Sequence, residues 1–201
     1  MKTKNLITAV RAALTWAKGP ILTVALTYTL AVGAGILMVH SGNKFALSYR
    51  DNLVSKAQTG FVLTQKSRLV QGFADFGGNL LGAVYDTFIG LSVILPYPIV
   101  IYRGWVGGIV SVNSDHSSRL TSPTKAFYYF SVLFLQLLGY SLAAGAGIKM
   151  GLSIFRSKPK NAGFFWFRIP KEAMLNTLSI YALVVPIFFI ASLWEFLSPL
   201  N

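Results

Sequence analysis

Asp86 and Arg103 are the ionisable residues inside the longest apolar stretch of the chain. A charge at the centre of a bilayer costs about 3 kcal/mol on insertion scales, so such a residue marks either a functional site or a fixed partner. The two flank Pro96-Tyr97-Pro98. If the half-helices on either side fold back, Asp86 lies toward the outer half of the bilayer and Arg103 toward its inner end, which leaves direct pairing open. One reading makes Asp86 a buried acceptor for Asn79 or a tyrosine hydroxyl while Arg103 reaches the headgroups. The other makes them part of a substrate or ion path. Glu195, near the end of the last apolar run, is within reach of water and reads as structural.

His116 stands among Ser114, Asp115, Ser117 and Ser118. These are the residue types of a hydrolytic triad, but neighbours in one loop cannot converge as a triad does. No P-loop, GxGxxG, HExxH or paired-carboxylate motif occurs. The absence of cysteine excludes disulfides, thiolate metal sites and a cysteine nucleophile, and two histidines are too few for a histidine-rich centre. The expectation is a non-enzymatic protein with no catalytic, cofactor-binding or metal-binding residue.

The elements that must position these groups are set by lipid. Of 201 residues, 54% are hydrophobic and only 12% charged, about half the charged share of a soluble domain; mean hydropathy is +0.57. The 18 Lys and Arg against 6 Asp and Glu give +12, and their placement decides what that means. Lys2, Lys4, Arg11 and Lys18 precede the first apolar run, while Lys149, Arg156, Lys158, Lys160, Arg168 and Lys171 lie before the last. Basic residues gather this way on the cytoplasmic side of a membrane; no basic stretch interleaved with stacking aromatics points to nucleic acid.

Residues 1–19 read as a basic amphipathic interfacial helix, and 20–40 as a first span opened by Pro20. The apolar run is too long for a signal peptide. Residues 41–78, with Phe45, Leu47, Leu53, Val54, Phe61, Leu63, Leu69 and Val70 among charges, read as an amphipathic extramembrane segment. Residues 79–112 read as two short spans broken at Pro96–Pro98, residues 126–151 as a fourth span, and 173–198 as a fifth. Phe164, Phe165, Trp166 and Phe167 form an interfacial aromatic belt. The expected architecture is all-α, a polytopic bundle of about five spans, multi-pass in the cell membrane with a cytoplasmic N terminus.

Gly139, Ala143, Gly147 and Gly151 recur every four residues, so one face of the fourth span lacks bulk and lets a neighbouring backbone approach. Gly78/Gly82 and Gly104/Gly108 repeat the spacing. Such faces serve internal packing or a subunit contact.

The last span, Tyr181 to Pro199 with Pro186 and Glu195-Phe196 near its end, resembles the closing helix of the stage II sporulation protein M family. The 135–151 segment is similar to that family's small-residue helix ending in Gly, aliphatic, basic, aliphatic, Gly. Asn79 opening the second span, and Gly104, Gly107 and Gly108 in the third, fit its Asn-initiated and Gly-rich segments. The order matches over about residues 76–199. Where many members carry His-Gly and a Glu at the start of the fourth span, this chain has Phe134, Gln136 and Leu137, so a role tied to that carboxylate does not carry over. The resemblance implies a multi-pass protein similar to a scaffold for envelope-remodelling partners. The functional expectation is a membrane scaffold or accessory subunit, homo-oligomeric or part of a membrane complex, in contact with lipid and not with nucleic acid. Its alternative is a small transporter or channel subunit with a polar site near Asn79, Asp86, Arg103, Gln136, Glu195 and the proline break.

Overall fold

The computed structural model describes residues 3–65, 67–156 and 169–199. Expectations for Lys2, Lys158, Lys160, Arg168 and 164–167 lie outside them, as do the side chains of Lys4 and Arg156. Six α-helices carry the described chain: α1 (Thr3–His40), α2 (Lys44–Gln58), α3 (Arg68–Gly90), α4 (Pro96–Ile109), α5 (Pro123–Arg156) and α6 (Lys171–Leu197), with one 3-10 turn at Arg119–Thr121 before α5. Three of them, α1, α5 and α6, are long and apolar enough to cross a membrane. The protein is thus an all-helical, membrane-embedded bundle.

The expected boundary at Pro20 is absent. Helix α1 runs 38 residues straight through it, about 57 Å at 1.5 Å per residue. The reason is packing: Ala13 and Ala17 are fully buried against Ile180, Val184 and their neighbours in the core, so the residues before Pro20 continue α1 and pack into the bundle. Beyond it, Leu22, Leu26, Leu30 and Leu37 form an exposed apolar stripe suited to lipid.

The 41–78 segment divides differently from the expectation. Asn43 caps α2 by accepting the Ala46 N–H, a turn follows, and α3 already begins at Arg68, so Asn79 lies inside a helix instead of opening one. The chain reverses at 91–95, where Val93 adopts a left-handed φ of 68°. Pro96 and Pro98 open α4 rather than interrupt a helix; first-turn positions have no intrahelical acceptor for an N–H, so their lost donors cost little. With 14 residues, α4 is about 21 Å long, short of the roughly 30 Å hydrocarbon layer.

Helix α4 lies along α1, and α3 packs on α5 and α6, but α3 and α4 scarcely touch, nor do α4 and α5. The close contacts run through small residues. A Cβ at Gly147 would strike the Thr87 backbone, one at Gly151 would come within 2.9 Å of Leu91 Cα, and one at Gly139 would meet the Phe188 ring at 2.6 Å. On α4, Gly104 and Gly108 meet the Tyr28 and Val32 carbonyls of α1. Gly82 faces Arg103 and Tyr140, whereas nothing stands within 4 Å of a Cβ at Gly78.

Candidate functional site: a polar cleft inside the bundle

Where α4 stands off from α3 and α5, polar side chains fill the gap. Asp75, Asn79, Gly82 and Asp86 follow spacings of four, three and four on α3 and so share one helix face. Gln136 and Tyr140 on α5, Arg103 and Gly107 on α4, and Ser192 and Glu195 on α6 repeat the rule.

Arg103 Nη1 donates to Asp86 Oδ2 across the α3–α4 gap. Asp86 is 1% exposed, while the Arg103 side chain keeps 23%, and its guanidinium carbon sits 4.0 Å from the centre of the Tyr140 ring. That cation–π contact and the carboxylate together hold a charge that hydrocarbon would otherwise reject. The second Asp86 oxygen, Oδ1, is buried with no hydrogen-bond partner among the described residues.

From Tyr140 the polar groups continue. Its hydroxyl donates to Asn79 Oδ1 at 2.6 Å, Asn79 Nδ2 donates to Asp75 Oδ2 at 2.7 Å, and Ser192 Oγ donates to the same oxygen at 2.7 Å. One turn along α6, Gln136 Nε2 donates to Glu195 Oε2 at 3.0 Å. The Tyr128 hydroxyl donates to the Glu195 carbonyl, and the Tyr129 hydroxyl bridges α5 to the Gly107 carbonyl of α4 at 2.6 Å.

Two cavities open beside this network. The inner one, about 290 Å³, is lined by Tyr28, Asn79, Arg103, Gln136 and Tyr140 among others. The outer one, about 360 Å³, is lined by Arg119, Tyr128, Tyr129, Gln136 and Glu195, with Leu63 and Phe196 also in its wall. Gly107, Val110 and Gln136 belong to both, which makes them two lobes of one cleft.

Of the residues singled out from sequence, the structure therefore gathers Asn79, Asp86, Arg103, Gln136 and Glu195 around one cleft. Asp86 and Arg103, whose pairing the sequence left open, are bonded to each other, and Arg103 stacks on Tyr140. Glu195 faces the outer lobe. Sequence reading missed Asp75, Ser192, Arg119, Tyr128 and Tyr140; the first could have been found from its helical spacing to Asn79 and Asp86. His116 reaches Asp51 of α2 at 2.9 Å, and Ser117 bonds Asp115, so the loop assembles no nucleophile with its base. Among the described residues no three His, Cys, Asp or Glu side chains form a metal-ligand group.

Comparison with protein-family models, with curated proteins and with solved structures finds no match.

Proposed function

We propose that this protein is a small, non-enzymatic multi-pass membrane protein that holds a polar ligand in its intramembrane cleft, as a transporter or channel subunit does. The observation that carries the reading is the continuous polar lining from Asp86–Arg103 to Gln136–Glu195 within an otherwise apolar bundle. Polar groups at membrane depth are kept where they line a cavity or meet one another, and here they do both. Helices α3 and α4 take the place of the second and third of five passes as a hairpin of two short arms that enters and returns between α1 and α5, and the basic residues at the start of α1 and around the α5–α6 connection favour a cytoplasmic N terminus in the cell membrane.

The absence of cysteine allows a direct test with a charged, membrane-impermeant thiol reagent. Only a thiolate reacts, and a thiol in hydrocarbon does not ionise. Val132→Cys, in the outer lobe, and Val106→Cys, in the inner lobe, should label; Leu30→Cys, on the exposed α1 stripe, should not. A Val132→Cys protein as inert as Leu30→Cys would sink the reading. Ser55→Cys on α2 should label from outside intact cells, and labelling only after lysis would invert the orientation.

A scaffold role is the second reading. It is favoured by the resemblance in residues 76–199 and by the exposed Phe61, Leu69 and Phe73, which give the extramembrane side an apolar surface for a partner. A photoreactive residue at Phe61 should then yield one discrete protein adduct, and lipid adducts alone would remove that reading.

A further inference from the structure

We propose that the inner lobe of the cleft binds a small uncharged carboxamide, whose carbonyl accepts from Arg103 and Tyr28 and whose amino group donates to Gln136. The inference rests on the ligand-cleft reading above and names the class of ligand.

The wall of this lobe holds three polar groups that the described residues leave without a partner. Arg103 gives Nη1 to Asp86 and lies over the Tyr140 ring, which leaves its Nε/Nη2 edge unbonded. Gly82 makes room for that edge, since a Cβ there would come within 3.3 Å of Nη2. Tyr28 of α1 is only 3% exposed and lines the same lobe, yet its hydroxyl bonds to no described residue. It points toward Gly107 in the lobe wall, where an added Cβ would lie 3.9 Å from it. A hydroxyl buried this deeply without a partner costs about 1–3 kcal/mol, which a guest with an acceptor oxygen would remove. The third group belongs to Gln136. Its Nε2 donates to the Glu195 carboxylate, so Oε1 remains as an acceptor in the wall shared by the two lobes.

Charge then decides the class of guest. Among the described residues Arg103 alone brings a formal charge to the lining, and Asp86 already balances it. An anion on the free edge would be a second negative charge on a neutralised guanidinium, with Asp75 in the connected network adding to the repulsion. A cation would face Arg103 and meet no carboxylate in the lining. Either ion would be desolvated without a matching charge, the costly outcome at a buried site. An uncharged guest avoids both costs. The adjacent Nε–H and Nη2–H, together with the Tyr28 hydroxyl, suit a carbonyl oxygen, and Gln136 Oε1 suits an N–H. A carboxamide carries both on one planar group, while Val106 and Val110 suit a short alkyl portion. The volume of about 290 Å³ is at the small end of ligand pockets.

The test uses the full chain in phosphatidylcholine nanodiscs and three planar molecules of the same shape: acetamide, acetate and acetamidinium, which are neutral, negative and positive. Ligand-observed NMR titration should show acetamide binding at least tenfold tighter than either ion. Tyr28→Phe deletes only the unpaired hydroxyl, and should weaken acetamide roughly fivefold without lowering the thermal transition. Asp86→Asn removes the counter-charge of Arg103 and should turn the preference over to acetate. The comparison of the three molecules on the wild type does not depend on either variant folding. Acetate bound tightest by the wild type would make the lobe an anion site, and acetamidinium bound tightest a cation site. Either result, or equal or absent binding of all three, overturns the inference. If Val106→Cys still labels in that case, the hydrated cleft survives and only its carboxamide assignment falls; an inert Val106→Cys removes the cleft reading itself.

Discussion

Toward α3, helix α5 presents Ala143, Gly147 and Gly151, and the two backbones touch; toward α4 it presents Tyr129, Gln136 and Tyr140, and the helices stand apart around two cavities. The same helix thus makes a dry seam and a polar cleft a few turns from each other. In lipid there is no hydrophobic gain from burying apolar side chains, so contact depends on van der Waals fit and interhelical hydrogen bonds. Small residues permit the first kind of contact. The second needs groups long enough to bridge a gap, and Tyr129 to the Gly107 carbonyl, Arg103 to Asp86 and Tyr140 to Asn79 are such bridges. At the seam Thr87 does both, donating to the Ala143 carbonyl at 3.0 Å.

The seam is the more sensitive side. Gly147→Leu places a side chain where the Thr87 backbone lies, and backbone cannot rotate away as a side chain would. The expected loss is on the order of 3 kcal/mol or more, read as a lower thermal transition or poor expression, with surviving protein at its original size in detergent. A smaller particle would mean instead that the stripe also holds a second copy.

The cleft should break asymmetrically. Arg103→Met leaves the carboxylate of the fully buried Asp86 without a partner and should cost about 3–5 kcal/mol. Asp86→Leu leaves an arginine that is part-exposed and stacked on Tyr140, so it should cost less. The double replacement should be milder than the sum, with coupling of about 1–3 kcal/mol in a double-mutant cycle on thermal or denaturant stability. Additive losses would show that the two groups do not interact.

Much of the seam was legible in the sequence, because four-residue recurrence of Gly and Ala specifies a helix face without knowledge of its partner. The cleft was legible only in pieces. Asp86, Arg103, Asn79, Gln136 and Glu195 stood out as polar residues in apolar runs, but which of them meet depends on where the chain reverses, and that turn falls at 91–95, ahead of the prolines. Tyrosines gave no signal because a tyrosine in an apolar run is as much a packing residue as a hydrogen-bond donor. Pro20 misled for a different reason. Its local preference for a helix start was outweighed by burial of Ala13 and Ala17, a tertiary effect that local propensity does not contain.

The smallest expected effect lies outside both regions, where α2 is docked against α4 and the 113–118 loop. Tyr49 and Phe45 pack on Trp105 with ring centres 5.0 and 5.9 Å away, the Tyr49 and Tyr102 hydroxyls meet at 3.0 Å, and Asp51 bonds His116 and Arg50. Those two bonds, His116 first, hold the Asp51 carboxyl below its ordinary value of 3.8. A depressed folded value means the contribution is fully present above the unfolded value and is lost as pH falls through the folded one. Docking of α2 should therefore be unchanged down to about pH 4 and loosen below it, seen as a change in Trp105 fluorescence. Asp115 is lowered as well, by its bonds to Ser117, so it titrates in the same window and a control is required. Asp51→Asn should flatten the acid transition, whereas Asp115→Asn should leave it in place. The amplitude should be modest, since Asp51 is exposed and exposed pairs contribute little, while the aromatic contacts persist at any pH. A transition that survives Asp51→Asn unchanged would assign it to another group and leave the aromatic packing alone as the tie between α2 and α4.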